Sequence, residues 1–257
     1  MAETFDVIVI GAGVHGASTA FHLAERGART LVLERAAAAS GATGRSSGLV
    51  RMHYDLKAES ALAWRSYQYF TDWEARVGGD SGFTRTGFVR IVPPSQEANL
   101  RANVADMQDL GIPTSIIPAA DVKAIAPMLT VDDFDVAAYE PDSGYADPTS
   151  TCNSLLAAAR RLGATYRHST PVEAIEVEGD RVVGVRTAKG SISAPVVVLA
   201  AGGWSGPLGR SAGVDIDLKV WHHDTGFVRQ PSAGGGAGLP VVIDDINELY
   251  FRPEGQG

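Results

Sequence analysis

Asp6 to Ile10 is a short apolar run of β-branched residues with no polar alternation, the pattern of a strand buried on both faces. A glycine-rich turn follows. Ala17, Ala20, Phe21, Leu23 and Ala24 then recur at helical spacing until Gly27, a residue suited to the position just past a helix end. Leu31-Val32-Leu33 is a second unbroken apolar run, and Glu34 stands at its end. Strand, helix and strand within about 30 residues predict one parallel βαβ unit.

Further along, the small and polar stretch 36–48 reads as a loop. A helical pattern from about Leu56 to Val77 carries Leu62, Trp64, Tyr67, Phe70 and Trp73. Phe88 to Val92 reads as a strand closed by Pro93-Pro94, and Ser95 to Leu110 as a helix with Ser95 as its N-cap. Residues 111–147 are punctuated by prolines and predict short helices and turns. Another helix begins at Asp147-Pro148, presents Leu155, Leu156, Ala159 and Leu162, and ends at Gly163. Thr165 to Arg167, Val172 to Glu178 and Val182 to Thr187 read as strands, the last two joined by a Glu178-Gly179-Asp180 hairpin turn. Ala194 to Ala200 predicts a third fully buried strand. Residues 217–229 and 240–252 predict two more, joined by a flexible Ser232–Gly238 segment.

Buried parallel-type strands thus stand near the start and again near residue 196, with other material between. The expected fold is α/β: a Rossmann-like dinucleotide-binding domain from residues 1–77 and 145–215, interleaved with an α+β substrate domain from 78–144 and 216–257 on a mixed or antiparallel sheet.

Composition narrows the function classes. The chain has 257 residues, 45% hydrophobic and 20% charged, with a net charge of −8, which disfavours nucleic acid and anionic membrane as partners. Its apolar runs are too short to span a bilayer, and no secretory signal is visible, so a cytoplasmic location is expected. The lone Cys152 excludes an internal disulfide and a cysteine metal cluster. No GxSxG hydrolase signature is present, and His222-His223 read as ordinary strand residues; no metal is expected.

The sharpest motif is Gly11-Ala12-Gly13-Val14-His15-Gly16. Gly11 permits the tight turn out of the strand, Gly13 lets backbone approach a pyrophosphate, and Gly16 lets helix and strand pack closely. The helix N-terminus offers N–H groups and partial positive charge to phosphates. Glu34, 23 residues past Gly11, can accept hydrogen bonds from ribose hydroxyls and would repel a 2′-phosphate. FAD and NAD share this geometry. Ser40-Gly41-Ala42-Thr43-Gly44-Arg45-Ser46-Ser47-Gly48 would lie just past the ribose, where small residues and hydroxyls suit an extended cofactor.

These features, with Leu49-Val50-Arg51, Gly144-Tyr145-Ala146-Asp147-Pro148, Ala200-Ala201-Gly202-Gly203-Trp204 and Tyr250-Phe251-Arg252-Pro253, run in one order along nearly the whole chain. In them the sequence resembles the D-amino-acid-oxidase-type flavoproteins, most closely the sarcosine oxidase and glycine oxidase branch. The resemblance implies FAD, held noncovalently because Cys152 lies outside the family's attachment sites. It places Gly11, Gly13, Val14, His15 and Gly16 at the cofactor, Glu34 and Arg35 at the adenosine ribose, and Ser40, Gly41, Thr43, Arg45, Ser46 and Ser47 along the pyrophosphate and ribityl chain. Val172 would meet the adenine, and Ala200, Ala201, Gly202 and Trp204 would close over the cofactor.

The reaction implied is oxidation of the C–N bond of a small amine or amino acid by hydride transfer to flavin, with oxygen or another acceptor taking the electrons. Arg51 resembles the family's carboxylate-side arginine, with steadying of the flavin ring as its other reading, His53 follows it, and Tyr250 matches a position lining the substrate cavity. Two other readings stay open: an NAD-linked dehydrogenase, against which the 40–51 run speaks, and a cofactor-binding subunit without catalysis. Members of the family are longer, and Pro253-Glu254-Gly255-Gln256-Gly257 has the chemistry of a hairpin turn that owes a partner strand; a truncated form is therefore expected. Homo- or hetero-oligomers are both compatible with the sequence.

Overall fold

A computed structural model describes residues 3–221, 223–229 and 239–254. The chain divides into two compact units, Met1–Ser46 with Val77–Ser81 and Pro148–Asp224, and Ser47–Arg76 with Gly82–Asp147 and Thr225–Gly257.

The first unit is built on four parallel strands in the order Val196–Leu199, Val7–Ile10, Thr30–Leu33, Thr165–Arg167. The two central strands are buried along their whole length, as their unbroken apolar runs require. Each fully buried Ile or Leu there contributes roughly 1.5–3 kcal/mol of transfer free energy. Ile8, Ile10, Leu31 and Leu33 share a core with Ile175, Val185 and Ile192 from a three-stranded antiparallel sheet, Val172–Glu178, Arg181–Thr187 and Gly190–Ser193. The helix Val14–Glu25 buries Gly16, Ala17, Ala20, Phe21 and Ala24 and packs on the helix Pro148–Arg161, which buries Leu155, Leu156 and Ala159. Gly27, at φ +78°, and Gly163, at φ +101°, take the left-handed positions that follow these two helices.

The second unit carries a five-stranded mixed sheet in the order Leu249–Phe251, Val241–Asp244, Phe88–Ile91, Val136–Glu140, Ser115–Pro118, in which only Val241–Asp244 and Phe88–Ile91 run parallel. A small sheet pairs Gly144–Tyr145 with both Leu49–Val50 and Thr84–Arg85. Met52, Tyr67, Val92, Leu100, Val104 and Met107 form one core of this unit, and Val89, Ile91, Val122, Phe134 and Val242 another.

Several expectations change. Residues 47–76, expected with the dinucleotide domain, fold with the second unit: Met52 and Tyr67 lie in its core. Val196–Leu199 is an edge strand with Val196 49% exposed rather than a fully buried one. The long 56–77 helix breaks into Lys57–Phe70 and Trp73–Arg76, and Leu56, Leu62 and Leu162 face outward. Ser95 sits inside a short 3-10 turn, Pro94–Gln96, and Gln96 precedes the helix Glu97–Asp109. Within 111–147 the structure forms strands Ser115–Pro118, Val136–Glu140 and Gly144–Tyr145, whose pairing partners come from distant sequence. The described residues of 217–229 form no strand and are largely exposed. Residues 240–252 make a hairpin of two strands instead of one. The Ser232–Gly238 segment, His222 and the last three residues of the expected terminal turn lie outside the described residues.

Candidate functional site

In the first unit the glycine loop joins three strand ends. Gly11 N–H donates to the Leu33 carbonyl at 2.8 Å, and Ala200 N–H to the Ile10 carbonyl at 2.9 Å. Gly11 has φ +103°, and a Cβ there would strike the Ala200 carbonyl; a Cβ on Gly16 would strike the Gly11 carbonyl. Neither position admits a side chain. Glu34, leaving the second strand, accepts Ala12 N–H on Oε2 at 2.8 Å and Ala36 N–H on Oε1 at 2.9 Å. Each carboxylate oxygen keeps a further lone pair.

The 40–45 loop is fastened to this turn. Thr43 Oγ1 accepts the Val14 N–H at 3.0 Å, and Arg45 donates to the Gly41 carbonyl at 2.8 Å and to that of Ser40. Behind the turn, the fully buried Cys152 donates its S–H to the Ala12 carbonyl at 3.3 Å, and burial pushes its thiol up to about 11. Arg35 lies with its guanidinium 4.0 Å from the centre of the Trp204 ring.

Around these groups is a cavity of about 730 Å³. Of the sequence-predicted cofactor residues, Gly11, Gly13, Val14, His15, Glu34 and Arg35 line it, as do Ser40, Gly41, Thr43 and Val172. Ala200, Ala201, Gly202 and Trp204 complete that set. Four residues do not line it. Gly16 packs the helix against the turn, Arg45 shapes the loop through its carbonyls, and Ser46 and Ser47 lie beyond the lining. Sequence reasoning missed Pro171 and Glu173, which flank Val172, and Pro207 and Leu208 on the short helix Ser205–Ser211 after Trp204. Proximity to Val172 and Trp204 was the available signal.

In the second unit, Arg51 directly follows the strand Leu49–Val50. Its guanidinium lies 4.1 Å from the Tyr54 ring centre and 5.8 Å from that of Phe88. Its Nη1 is buried with no hydrogen-bond partner among the described residues, and burial lowers its pKa against the opposing pull of Tyr54, Glu140 and Asp55. His53 is fully buried with both ring nitrogens unpartnered among the described residues. Burial, then the charges of Arg90 and Arg51, push its imidazole down to about 3, so it is neutral at physiological pH. Direct contact with a ligand, expected for His53, does not fit this enclosed position. Tyr250 is 49% exposed on an edge strand, and no hydrogen bond or ring contact joins it to Arg51 or His53 among the described residues. Glu140, which no sequence signal marked, is buried beside this group. It accepts Met52 N–H at 3.0 Å and Ser143 O–H at 2.5 Å.

Compared with known protein families, residues 6–257 match the FAD dependent oxidoreductases (DAO). The chain belongs to this family. It is 32% identical over 263 residues to the mitochondrial sarcosine dehydrogenase of Mus musculus, covering 99% of this chain and 28% of that protein. It is 31% identical to 4-methylaminobutanoate oxidase (formaldehyde-forming) of Paenarthrobacter nicotinovorans, over 96% of this chain and 30% of that one. The chain therefore spans under a third of the length of these curated relatives. Among solved structures, L-proline dehydrogenase from P. horikoshii superposes with a TM-score of 0.86 at 24% identity, over 100% of this chain and 69% of that one.

The chain's own residues fit FAD. A carboxylate with spare lone pairs stands at the second strand end, the turn excludes side chains at Gly11 and Gly16, and the hydroxyls of Ser40 and Thr43 sit in the loop beside it. Among the described residues no group of three His, Cys, Asp or Glu is placed to hold a metal ion, and no helix is long and apolar enough to cross a membrane. His223 is exposed in a stretch without regular structure.

Proposed function

We propose that this oxidoreductase oxidises the C–N bond of a small amine or amino acid, with a secondary amino acid of the sarcosine type as the leading candidate. FAD, when bound, would supply a two-electron acceptor for oxidation of the amine to an imine that water hydrolyses, with oxygen or another acceptor as the final oxidant. The chain's residues do the binding. Glu34 would accept hydrogen bonds from the ribose hydroxyls, the Gly11–Gly16 turn and the helix behind it would offer N–H groups and positive potential to the pyrophosphate, and Arg35 with Trp204 would border the adenosine end. Arg51 receives the substrate carboxylate through a charge-assisted pair.

The observation that carries this reading is Arg51: a half-buried guanidinium with no ion pair among the described residues, set against an aromatic face. A structural arginine so placed is ordinarily neutralised by a carboxylate within salt-bridge range. The relatives named for sarcosine and 4-methylaminobutanoate, both carboxylate-bearing N-methyl amines, support the same substrate class. The test is turnover of the FAD-loaded protein with sarcosine, glycine, dimethylglycine and D-proline, following peroxide release and reduction of an artificial acceptor. Carbonyl product from at least one of these amines is expected. FAD-loaded protein that produces none, with either acceptor, refutes the reading.

A further inference from the structure

We propose that Glu140 is the positioning residue for Arg51, fixing the arginine's segment while leaving its guanidinium unpaired for an anionic ligand group. The proposal rests on the assignment of Arg51 to the substrate carboxylate.

Glu140 closes the strand Val136–Glu140, is 0% exposed, and lies opposite Phe88 in the sheet register. A buried carboxylate is costly unless its position is used. Here Oε2 takes two donors: the N–H of Met52, the residue after Arg51, and the hydroxyl of Ser143. Ser143 leads directly into Gly144–Tyr145, which pairs with Leu49–Val50, the two residues before Arg51. One carboxylate oxygen thereby ties down the chain on both sides of Arg51.

The second oxygen, Oε1, is buried without a hydrogen-bond partner among the described residues, and so is Nη1 of Arg51. Each group feels the other's charge, yet no ion pair forms between them. The guanidinium rests on the Tyr54 ring instead. A direct salt bridge would consume the donors that a ligand carboxylate needs. Held at a distance, Glu140 offsets the burial of Arg51 and leaves the donor fork available. Burial raises the Glu140 carboxyl above its ordinary range, against the pull of Ser143, Met52 and Arg51.

The decisive experiment uses FAD-loaded protein and four variants: Glu140→Gln, which keeps an acceptor for Met52 and Ser143 but removes the charge, Ser143→Ala, Arg51→Met, and the Glu140→Gln/Arg51→Met pair. Binding of sarcosine and of carboxylate-free dimethylamine is followed by perturbation of the flavin absorbance, and turnover separates KM from kcat. Glu140→Gln is expected to weaken sarcosine about tenfold in Kd and KM, leaving kcat within about threefold and dimethylamine within about twofold. Ser143→Ala moves sarcosine about threefold in the same direction. The double variant binds sarcosine no worse than Arg51→Met alone. Equal losses for both amines, or additive losses in the double variant, overturn the positioning role. If Arg51→Met itself spares the preference for sarcosine, the carboxylate assignment falls and takes the proposal with it; if Arg51→Met removes that preference and Glu140→Gln keeps it, only the role of Glu140 falls.

Discussion

The two units carry polar sites built in opposite ways. Around the glycine turn of the first unit the work is done mainly by main chain: strand ends meet through Gly11 and Ala200 N–H groups, Glu34 is held by Ala12 and Ala36 N–H, and Val14 N–H is taken by Thr43. Around Arg51 in the second unit most of the polar atoms belong to side chains, and several are buried without hydrogen-bond partners among the described residues: Arg51 Nη1, both nitrogens of His53 and Glu140 Oε1. A main-chain site needs specific small residues at specific spacing. A side-chain site needs only that distant residues be brought together, at a cost that buried unpaired groups make visible.

The contrast is most exposed at Gly16. A Cβ there would lie 1.9 Å from the Gly11 carbonyl oxygen, so Gly16→Val must force the helix off the strand, at a cost of about 3 kcal/mol or more. Flavin retention on a desalting column should be lost and the melting temperature should fall. Glu34→Ala leaves the turn's shape but removes the acceptor for two N–H groups and for the ribose. FAD titration should show binding weakened about 10- to 100-fold, with the Arg51 cluster unaffected.

For the second unit the corresponding handle is pH. His53 titrates near 3 when folded against 6.5 in its ordinary state, so between these values the unfolded chain holds a proton that the folded chain does not. Its contribution is present above 6.5 and is lost as pH falls towards 3, by about 2 kcal/mol on going from pH 6.5 to 5. The raised Glu140 carboxyl acts with the opposite sign on acidification. The difference between the native chain and His53→Gln, measured by denaturant unfolding across that range, isolates the histidine; parallel stability curves would contradict its neutral, enclosed state. The smallest effect is expected for Trp204→Ala. It removes a half-exposed cation–π partner of Arg35 and should weaken FAD by about 1 kcal/mol, read by the same titration.

What could be read from sequence follows the same division. The βαβ unit was legible because buried parallel strands are unbroken apolar runs, and because Gly11, Gly13 and Gly16 answer to backbone geometry that other residues cannot adopt. Ser40 and Thr43 come from the family resemblance that this loop carries, and Trp204 from the resemblance carried by the small residues before it. The second unit was not legible in this way. Val136–Glu140 and Gly144–Tyr145 are strands only because Phe88–Ile91 and Leu49–Val50 arrive from elsewhere to pair with them. Glu140 carries no local signal at all, since its partners Met52 and Ser143 are joined to it by folding. His53 is read as a site residue from its place beside Arg51, and burial, a property of the folded unit, is what changes its role. The 217–229 stretch shows the converse error: its apolar residues suggested a strand, but Val220, Trp221, Phe227 and Val228 stand 73–95% exposed.

Anaerobic mixing of sarcosine with the FAD-loaded protein tests most directly whether Arg51 receives a substrate carboxylate. Bleaching of the flavin's visible band is predicted in the native chain, at amine concentrations at least about tenfold lower than Arg51→Met requires. A flavin that stays oxidised with sarcosine and with the other amino acids, but bleaches on addition of NADH, would contradict it.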